Sequence, residues 1–176
     1  MTVFIESRCV YSKNFINDQL LPIYDNFKDL IHINFITFAL SESHIKDDGQ
    51  LETKCYHGKP ECTLDLFQTC SLFIYRNDTK FQHKIIFCTM RSKRFYKACI
   101  KELNLDIERI ENCTQGETGK YLTLWSQKES AAVIKELNGV PAVIFNGVID
   151  TVVADRAITQ LKRVLKTKLH IPKDVK

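Results

Sequence analysis

A short strand followed by a cysteine and a helix opens this chain, and this feature most constrains the fold. Residues 2–5 are β-branched or aromatic, residues 6–8 form a polar turn, and an amphipathic helix starts after Cys9. Free backbone N–H groups and the helix dipole at such a position favour thiolate over thiol. A dithiol redox site has a second cysteine three residues later, which attacks the mixed disulfide formed by the first. Ser12 occupies that position, and a hydroxyl cannot resolve a mixed disulfide, so we expect no ordinary dithiol cycle.

The remaining cysteines predict a protein braced by disulfides. An even set of six is left once Cys9 is set aside, namely Cys55, Cys62, Cys70, Cys88, Cys99 and Cys113. Such a set is compatible with three disulfides in several connectivities. Cys62 and Cys70 lie about two turns apart on one predicted helix, so we expect each to pair elsewhere. Cys55 is open to pairing with either.

Two glycosylation sequons indicate the same kind of compartment as the cysteines. They are Asn77-Asp78-Thr79 and Asn112-Cys113-Thr114. Asn-x-Ser/Thr is the acceptor pattern for N-glycosylation, and stable disulfides form in oxidising compartments. The sequence therefore predicts a secreted or lysosomal glycoprotein.

Composition and charge predict one domain, without a membrane span and without a nucleic-acid partner. The 176 residues are 44% hydrophobic and contain no Gly/Ser/Pro-rich linker, so we expect residues 1–176 to form a single domain. No apolar run approaches the roughly 18 residues of a membrane span, and no leader-like segment precedes the first strand. The net charge of +4 is spread along the chain. Its basic stretches at residues 91–94 and 162–168 fit solvated helix faces, so we expect no nucleic-acid partner. We also expect no cofactor.

Hydrophobic periodicity predicts an α/β chain with a helical block in its middle. We expect a helix from Cys9 to about Lys28 with a kink at Pro22, a central strand over Ile31–Leu40 buried on both faces, and a loop over Ser41–Gln50. Five helices are predicted next, over Leu64–Tyr75, Phe81–Cys88, Phe95–Leu103, Ile107–Cys113 and Thr118–Leu137. Asp106 and Thr118 are candidate N-caps.

Strand character returns only after this block. Val140–Phe145 reads as a strand, Asn146-Gly147 as a hairpin turn into Val148–Val152, and Ala154–Leu169 as a last helix. This order is that of a thioredoxin-like, DsbA-like fold with a helical insertion, here about residues 62–139, between its two halves. In that fold a cis-proline faces the nucleophilic cysteine. The Val140–Pro141 bond stands at the corresponding place, and we predict that it is cis.

The most specific motif is residues 55–70, CYHGKPECTLDLFQTC. It resembles the signature of the gamma-interferon-inducible lysosomal thiol reductase (GILT) family, C-Q-H-G-x2-E-C-x2-N-x4-C. The residues that match at the right spacing are Cys55, His57, Gly58, Glu61, Cys62 and Cys70. Tyr56 replaces the glutamine of the signature and Asp65 replaces its asparagine.

The resemblance implies a DsbA-like fold, a glycosylated secreted or lysosomal protein, and disulfide reduction at acidic pH through C-x-x-C. Cys9 matches the nucleophile of the family and Pro141 its cis-proline, whereas Ser12 does not match the resolving cysteine. On residue chemistry alone, the signature is also a disulfide-stapled loop that leads into a helix, with Gly58 and Pro60 making the turn.

Other kinds of site fit the motifs less well. A zinc site built from Cys55, His57, Cys62 and Cys70 has no standard spacing, and the secretory context favours disulfides, so we predict no metal. A protease dyad of Cys9 and His57 would lack an orienting group and an oxyanion hole.

Three functions are therefore compared. The first is a GILT-like protein without dithiol reductase activity that binds a protein, cell-surface or glycan partner. The second is a monothiol oxidoreductase or isomerase that uses Cys9, with Arg8 and Lys13 as the neighbouring cations. The third is a disulfide-linked dimer, or a partner linked through Cys9.

Overall fold

The computed structural model describes residues 1–91 and 96–171. Within these ranges lie five strands, β1 (Thr2–Phe4), β2 (Asn34–Ile36), β3 (Glu42–Ile45), β4 (Leu51–Lys54) and β5 (Ala142–Ile144). The α-helices there are α1 (Val10–Asn14), α2 (Tyr24–Phe27), α3 (Lys59–Ile74), α4 (Thr79–Met90), α5 (Tyr96–Glu102), α6 (Ile107–Gln115), α7 (Glu117–Leu137) and α8 (Thr151–Lys168). A π-helical segment (Phe15–Leu20) and a 3₁₀ turn (Leu21–Ile23) join α1 to α2.

The central sheet has three strands in the order β2-β1-β5. β1 pairs parallel with β2, with Val3 opposite Phe35, and antiparallel with β5, with Val3 opposite Val143. The parallel pair is connected by the helical segments between residues 10 and 27, which is the usual crossover of a β-α-β unit. With β5 and α8 following the helical insertion, this is the thioredoxin-like architecture that the sequence predicted.

Both faces of the sheet are covered. Because side chains alternate along a strand, Val3, Phe35 and Val143 enter one cluster and Phe4 and Ile36 the other. The first cluster also contains residues from the segment after Cys9, from α4 and from α8. The second contains Val133 of α7. The C-terminal end of β1, where Cys9 follows, is therefore held by packing from two layers.

A separate hydrophobic cluster stabilises the helical insertion. It contains Phe67 and Cys70 of α3, Ile85 of α4, and Ile110 and Cys113 of α6. Two disulfides brace these helices, Cys70–Cys113 between α3 and α6 and Cys88–Cys99 between α4 and α5. The insertion thus has its own core and its own covalent links.

A strand forms within the predicted run Ile31–Leu40, but it is shorter than predicted and it is not central in the sheet. Only Asn34–Ile36 is extended, and it pairs with β1 on one side, which makes it an edge strand of the described sheet. Phe38 ends the extended run because its φ is 58°, in the left-handed region. The apolar residues remain buried, which explains why the pattern resembled a central strand.

The predicted loop over Ser41–Gln50 is also wrong, because a hairpin begins there. β3 and β4 pair antiparallel with Ser43 opposite Thr53. Gly49, with φ 77°, sits in the turn, and Asp48 accepts a hydrogen bond from the Gln50 N–H at 2.9 Å. The alternation of the strands is mostly polar, since the hairpin is largely exposed, and apolar periodicity could not indicate it.

The second half of the predicted C-terminal hairpin is missing. After β5 a single bridge joins Phe145 and Val148, because the Asp150 side chain accepts from Val153 N–H and starts α8 at Thr151.

Asp106 caps α6 through Arg109 N–H. The prediction that Thr118 caps α7 is wrong, since the N-cap is Gly116. Residues 92–95, which include most of the basic stretch and the predicted helix start at Phe95, lie outside the described residues.

His83 is buried at the junction of α2, α4 and the segment before β2. Its Nε2 lies 3.1 Å from the Ile33 carbonyl and its Nδ1 lies 2.7 Å from the Tyr24 hydroxyl. A carbonyl only accepts, so Nε2 carries the proton and Nδ1 accepts from Tyr24. Burial lowers the pKa of His83. The neutral ring is therefore a structural bridge between three segments.

We expect the long-range disulfide to contribute most to stability. Cys70 and Cys113 are 43 residues apart in sequence, and loop-closure entropy for such a span is worth about 4 kcal/mol. The double variant Cys70→Ala/Cys113→Ala should lose about that much in free energy of unfolding, measured by urea denaturation. Cys88→Ala/Cys99→Ala opens a shorter loop and is the control. Equal losses in the two variants would contradict the loop-length argument.

His83 should make the fold less stable in acid. Because its folded pKa is lowered, its contribution is fully present above pH 6.5 and is lost as pH falls below it, by up to about 1.4 kcal/mol per pH unit. The stability difference between wild type and His83→Gln should therefore shrink on acidification. Chemical denaturation at several pH values measures it, and a constant difference from pH 8 to 5 would refute the assignment.

Candidate functional site

Cys9 is the N-cap residue of α1 and lies beside the loop before β5. Its φ and ψ of −65° and 122° are extended, and its carbonyl accepts from Lys13 N–H at 3.0 Å. The side chain is 6% exposed, and its Sγ lies 3.8 Å from the Val140 carbonyl oxygen. The Val140–Pro141 bond is cis. The fold thus brings together the thiol and the proline loop that the sequence pointed to separately.

Ser12 lies one turn further along α1 and is fully buried. Its hydroxyl oxygen accepts a hydrogen bond from the Glu6 N–H at 3.4 Å. The side chain therefore contacts the turn before Cys9. All seven cysteines lie in the described residues, and Cys9 is the one outside the three disulfides. No second thiol is available within this chain to resolve a mixed disulfide at Cys9.

The GILT-like signature forms the entry to α3. Cys55 and Cys62 are joined by a disulfide across seven positions. Gly58 is the N-cap of α3 with φ 76°, a conformation that favours glycine, and Pro60 lies in the first turn. This geometry explains the Gly-x-Pro part of the motif, because the chain must reverse tightly to bring the two cysteines together.

Glu61 connects the signature to the Cys9 turn. Its fully buried carboxylate accepts hydrogen bonds from His57 N–H at 2.8 Å, from His57 Nδ1–H at 2.6 Å and from Arg8 N–H at 3.3 Å. One turn later on α3, Asp65 accepts from Ser7 N–H at 2.8 Å. Two consecutive backbone N–H groups before Cys9 are therefore held by α3. We call these contacts the carboxylate clamp.

Glu6 completes a cluster of three buried carboxyl groups with Glu61 and Asp65. One carboxylate oxygen from each lies within 4.8 Å of the others. Glu6 Oε1 accepts from Leu40 N–H at 2.6 Å and from the Ser41 hydroxyl at 3.3 Å. Burial raises the pKa of Glu6 to about 7, and burial together with the nearby Glu6 charge raises that of Asp65 well above its usual range.

The charges next to Cys9 are of both signs. Burial lowers the pKa of Lys13, and repulsion from Arg8 lowers it further, whereas Glu61 and Cys9 act in the opposite direction. Lys13 is therefore close enough to Cys9 to interact with it electrostatically. Arg8 is exposed on the turn. The site offers cationic groups to an incoming partner while its anionic groups are buried.

The cysteines considered as zinc ligands in the sequence are not free in the structure. Cys55, Cys62 and Cys70 are all in disulfides, so their sulfurs are not thiolate ligands. Within residues 1–91 and 96–171, the group that meets the spacing for a metal ion is the carboxyl cluster. Glu61 in that cluster already accepts three hydrogen bonds.

An apolar rim is exposed near the buried thiol. Val10 and Tyr11 follow Cys9 directly and are 58% and 70% exposed, and Tyr56 of the signature is 80% exposed. Tyr56 packs edge-on against His57 with ring centroids 5.1 Å apart. Large apolar side chains that are exposed together are typical of contact surfaces.

The sequon asparagines lie at the surface. Asn77 is exposed in the turn between α3 and α4, and Asn112 is exposed on α6. Cys113, the middle residue of the second sequon, is buried in its disulfide with Cys70. No described helix is both long enough and apolar enough to cross a membrane.

Sequence reasoning missed the roles of Glu6, Ser7 and Asp65. The sequence pattern places Glu6 in a polar turn, although it follows directly on an apolar strand and is fully buried. Asp65 stands out in the sequence only as a departure from the family signature. Their positions in the sequence could have indicated these roles. Glu6 follows the end of a buried strand, and Asp65 lies one helical turn after Glu61, so both side chains are expected to face the interior.

Comparison with known proteins identifies the family. A family model described as gamma interferon inducible lysosomal thiol reductase (GILT) matches residues 1–116. GILT-like protein 2 of Drosophila melanogaster is 28% identical over 84% of this chain and 69% of its own length. The gamma-interferon-responsive lysosomal thiol protein of Arabidopsis thaliana is 27% identical over 98% of this chain and 73% of its own length. Among solved structures, ScsC of Proteus mirabilis in a transitional conformation aligns at 18% identity and TM-score 0.49, covering 96% of this chain and 67% of that chain.

The fold and the site define a thioredoxin-like protein with one free thiol facing a cis-proline loop. More specifically, the chain belongs to the gamma-interferon-inducible lysosomal thiol reductase family, as the signature at residues 55–70 predicted. The departure at Ser12 falls inside the segment that the family model matches.

We expect the carboxylate clamp to depend on Glu61. Glu61→Ala would leave the N–H groups of Arg8 and His57 without their buried acceptor, at a cost of about 3 kcal/mol in free energy of unfolding. Hydrogen exchange at the Arg8 amide should accelerate as well. Glu111→Ala, which removes an exposed glutamate of α6, is the matched control. Unchanged exchange at Arg8 in Glu61→Ala would show that the clamp does not hold the turn.

Proposed function

We propose that this family member does not carry out dithiol disulfide reduction and instead binds a protein partner at the surface around Cys9. The observation that carries the proposal is the buried Ser12 at the resolving position, together with the pairing of every other cysteine. A mixed disulfide at Cys9 would have no internal thiol to release it. The site around Cys9 is then suited to binding a partner and not to reducing its disulfides in repeated cycles.

The surface around Cys9 supports contact with a protein. Val10 and Tyr11, which follow Cys9 directly, and Tyr56 of the signature expose apolar area, and aromatic side chains are enriched in protein interfaces. Arg8 adds a positive charge at the rim. These features fit a secreted or cell-surface polypeptide with apolar side chains and some negative charge.

Compartment and organisation belong to the same proposal. Three disulfides and two exposed sequon asparagines, Asn77 and Asn112, support a glycosylated protein of the secretory or lysosomal route. Packing of the insertion against the sheet through α7 supports a single domain over residues 1–176. A dimer linked through Cys9 would require two thiols that are each buried to come within disulfide distance of each other.

Monothiol exchange through Cys9 is the second candidate. It is favoured by the retained contact between the Cys9 sulfur and the Val140 carbonyl, which keeps the thiol beside the cis-proline loop. In this route Cys9 attacks a partner disulfide and one partner sulfur leaves as a thiol. An external thiol such as glutathione then attacks the mixed disulfide and regenerates Cys9.

We expect Ser12→Cys to restore reductase activity. With a dithiol supplied as reductant, the variant should reduce insulin disulfides roughly tenfold or more faster than wild type, because the introduced thiol can resolve the mixed disulfide. Cys9→Ser in the same background should abolish the gain. The assay is insulin turbidity at acidic and neutral pH. Equal activity of wild type and Ser12→Cys would overturn the proposal, and glutathione-dependent turnover by wild type alone would favour monothiol exchange.

A further inference from the structure

The carboxyl cluster beneath the Cys9 turn is unevenly supplied with hydrogen-bond donors. Glu6, Glu61 and Asp65 are all fully buried. Glu6 Oε2 and Asp65 Oδ2 are each buried without a hydrogen-bond donor. Adjacent carboxylates in a low-dielectric site cannot all remain ionised. A proton held between two carboxyl oxygens reduces their repulsion and supplies the hydrogen-bond donor that is otherwise missing.

The contacts set the direction in which such protons are shared. One oxygen each of Glu6, Asp65 and Glu61 lies within 4.8 Å of the others, and Glu6 interacts electrostatically with both partners. Glu61 already accepts three hydrogen bonds from His57 and Arg8, so it acts as the acceptor at one end. In the arrangement that these contacts favour, protonated Asp65 would donate to Glu6, and protonated Glu6 would donate to Glu61. The signature of the family has asparagine where this chain has Asp65, and an asparagine amide would be a donor there without a proton to lose.

We propose that Glu6 is a positioning residue that works through a proton, fastening the turn before Cys9 to α3 more firmly in acid than at neutral pH. When Glu6 takes up its proton, it links its own turn to Glu61, which holds Arg8 N–H. The turn is then tied to α3 through Glu6, Ser7 and Arg8. When Glu6 loses that proton, its carboxylate faces Glu61 without a donor, and the turn is held less firmly.

The pKa shifts of Glu6 and Asp65 agree with protons being held inside this cluster. Burial raises the pKa of Glu6 to about 7, and the charge of Glu61 raises it as well, while the bond from Leu40 N–H opposes the rise. Burial, together with the nearby charge of Glu6, raises the pKa of Asp65 as well. The other charged groups here are His57 before α3, Arg8 on the turn and Lys13 on α1, and Lys13 interacts with Glu61.

The sign follows from linkage. A carboxyl whose pKa is raised when the turn is fastened to α3 favours the fastened turn at low pH, and the advantage is lost as pH rises from 4.5 through about 7. The importance of this for partner binding rests on the proposed function, because it assumes that a partner meets Cys9. The positioning of the turn itself can be measured without any thiol chemistry.

The test is made on the full wild-type chain in buffer that contains EDTA. Carbon-13 NMR of the side-chain carboxyls should show Glu6 titrating near neutral pH and Asp65 titrating well above its usual range. Amide hydrogen exchange, corrected for the intrinsic rate, should show protection of Ser7 and Arg8 rising roughly 10- to 100-fold from pH 8 to pH 5.

Three variants separate the proton from a merely structural effect. Glu6→Gln carries a permanent donor and should protect Ser7 and Arg8 at pH 8 as strongly as wild type is protected at pH 5. Asp65→Asn should leave the pH dependence in place, because Glu6 still titrates. The control Glu111→Gln removes an exposed carboxylate and should behave as wild type.

Several results would overturn the proposal. Titration of Glu6 near 4.5, or equal protection at pH 5 and 8, would exclude the proton link even if Glu6→Gln failed to fold. A rise in protection at pH 8 on adding Ca²⁺ without EDTA would assign the cluster to a cation. Because these readouts follow carboxyls and amides, they are independent of whether Ser12→Cys gains reductase activity.

Discussion

The site depends on the hydrogen bonds that α3 makes to the turn before Cys9. A turn of three residues between a short strand and a helix has few contacts of its own, and its backbone N–H groups must be satisfied if they are buried. Glu61 and Asp65 supply acceptors for two of them from a helix more than fifty residues away in sequence. The Cys55–Cys62 disulfide and the Gly58 cap place that helix where its first turns can reach. The family signature is thus the part of the chain that supports the thiol and does not itself supply it.

This arrangement explains how the chain keeps its fold without a second cysteine at the site. The resolving position lies within α1, and Ser12 contacts the Glu6 backbone without disturbing the helix. The cis-proline loop leads into β5 of the sheet, and the acceptors of the carboxylate clamp lie on α3. The hydrogen bond of Ser12 is made to the Glu6 backbone and involves neither of these elements. The serine at the resolving position is therefore compatible with the scaffold that surrounds Cys9.

Much of the architecture was predictable from the sequence because the strongest signals are local. Strand β1, the helix start at Cys9, the helical insertion and the Asp106 cap all follow from short-range patterns. The errors occurred where tertiary contacts overrode those patterns. Phe38 adopts a left-handed conformation inside an apolar run, and the polar β3–β4 hairpin is anchored to α7 by a bond from Gln127 to Ser43. The carboxyl cluster was missed for the same reason, since residues 6, 61 and 65 meet only through the fold, and burial rather than identity determines their chemistry.

The buried His83 gives the molecule a second group that responds to acid, and its response is opposite to that of the carboxyl cluster. Protonation opposes the bridge that His83 makes with Tyr24 and Ile33, in a part of the chain remote in sequence from Cys9. The carboxyl cluster gains from protonation over much of the same pH range. A move from neutral to acidic surroundings therefore redistributes rigidity within the protein, loosening the helices that contact β2 and firming the turn that presents the thiol, while the two contributions to total stability partly cancel.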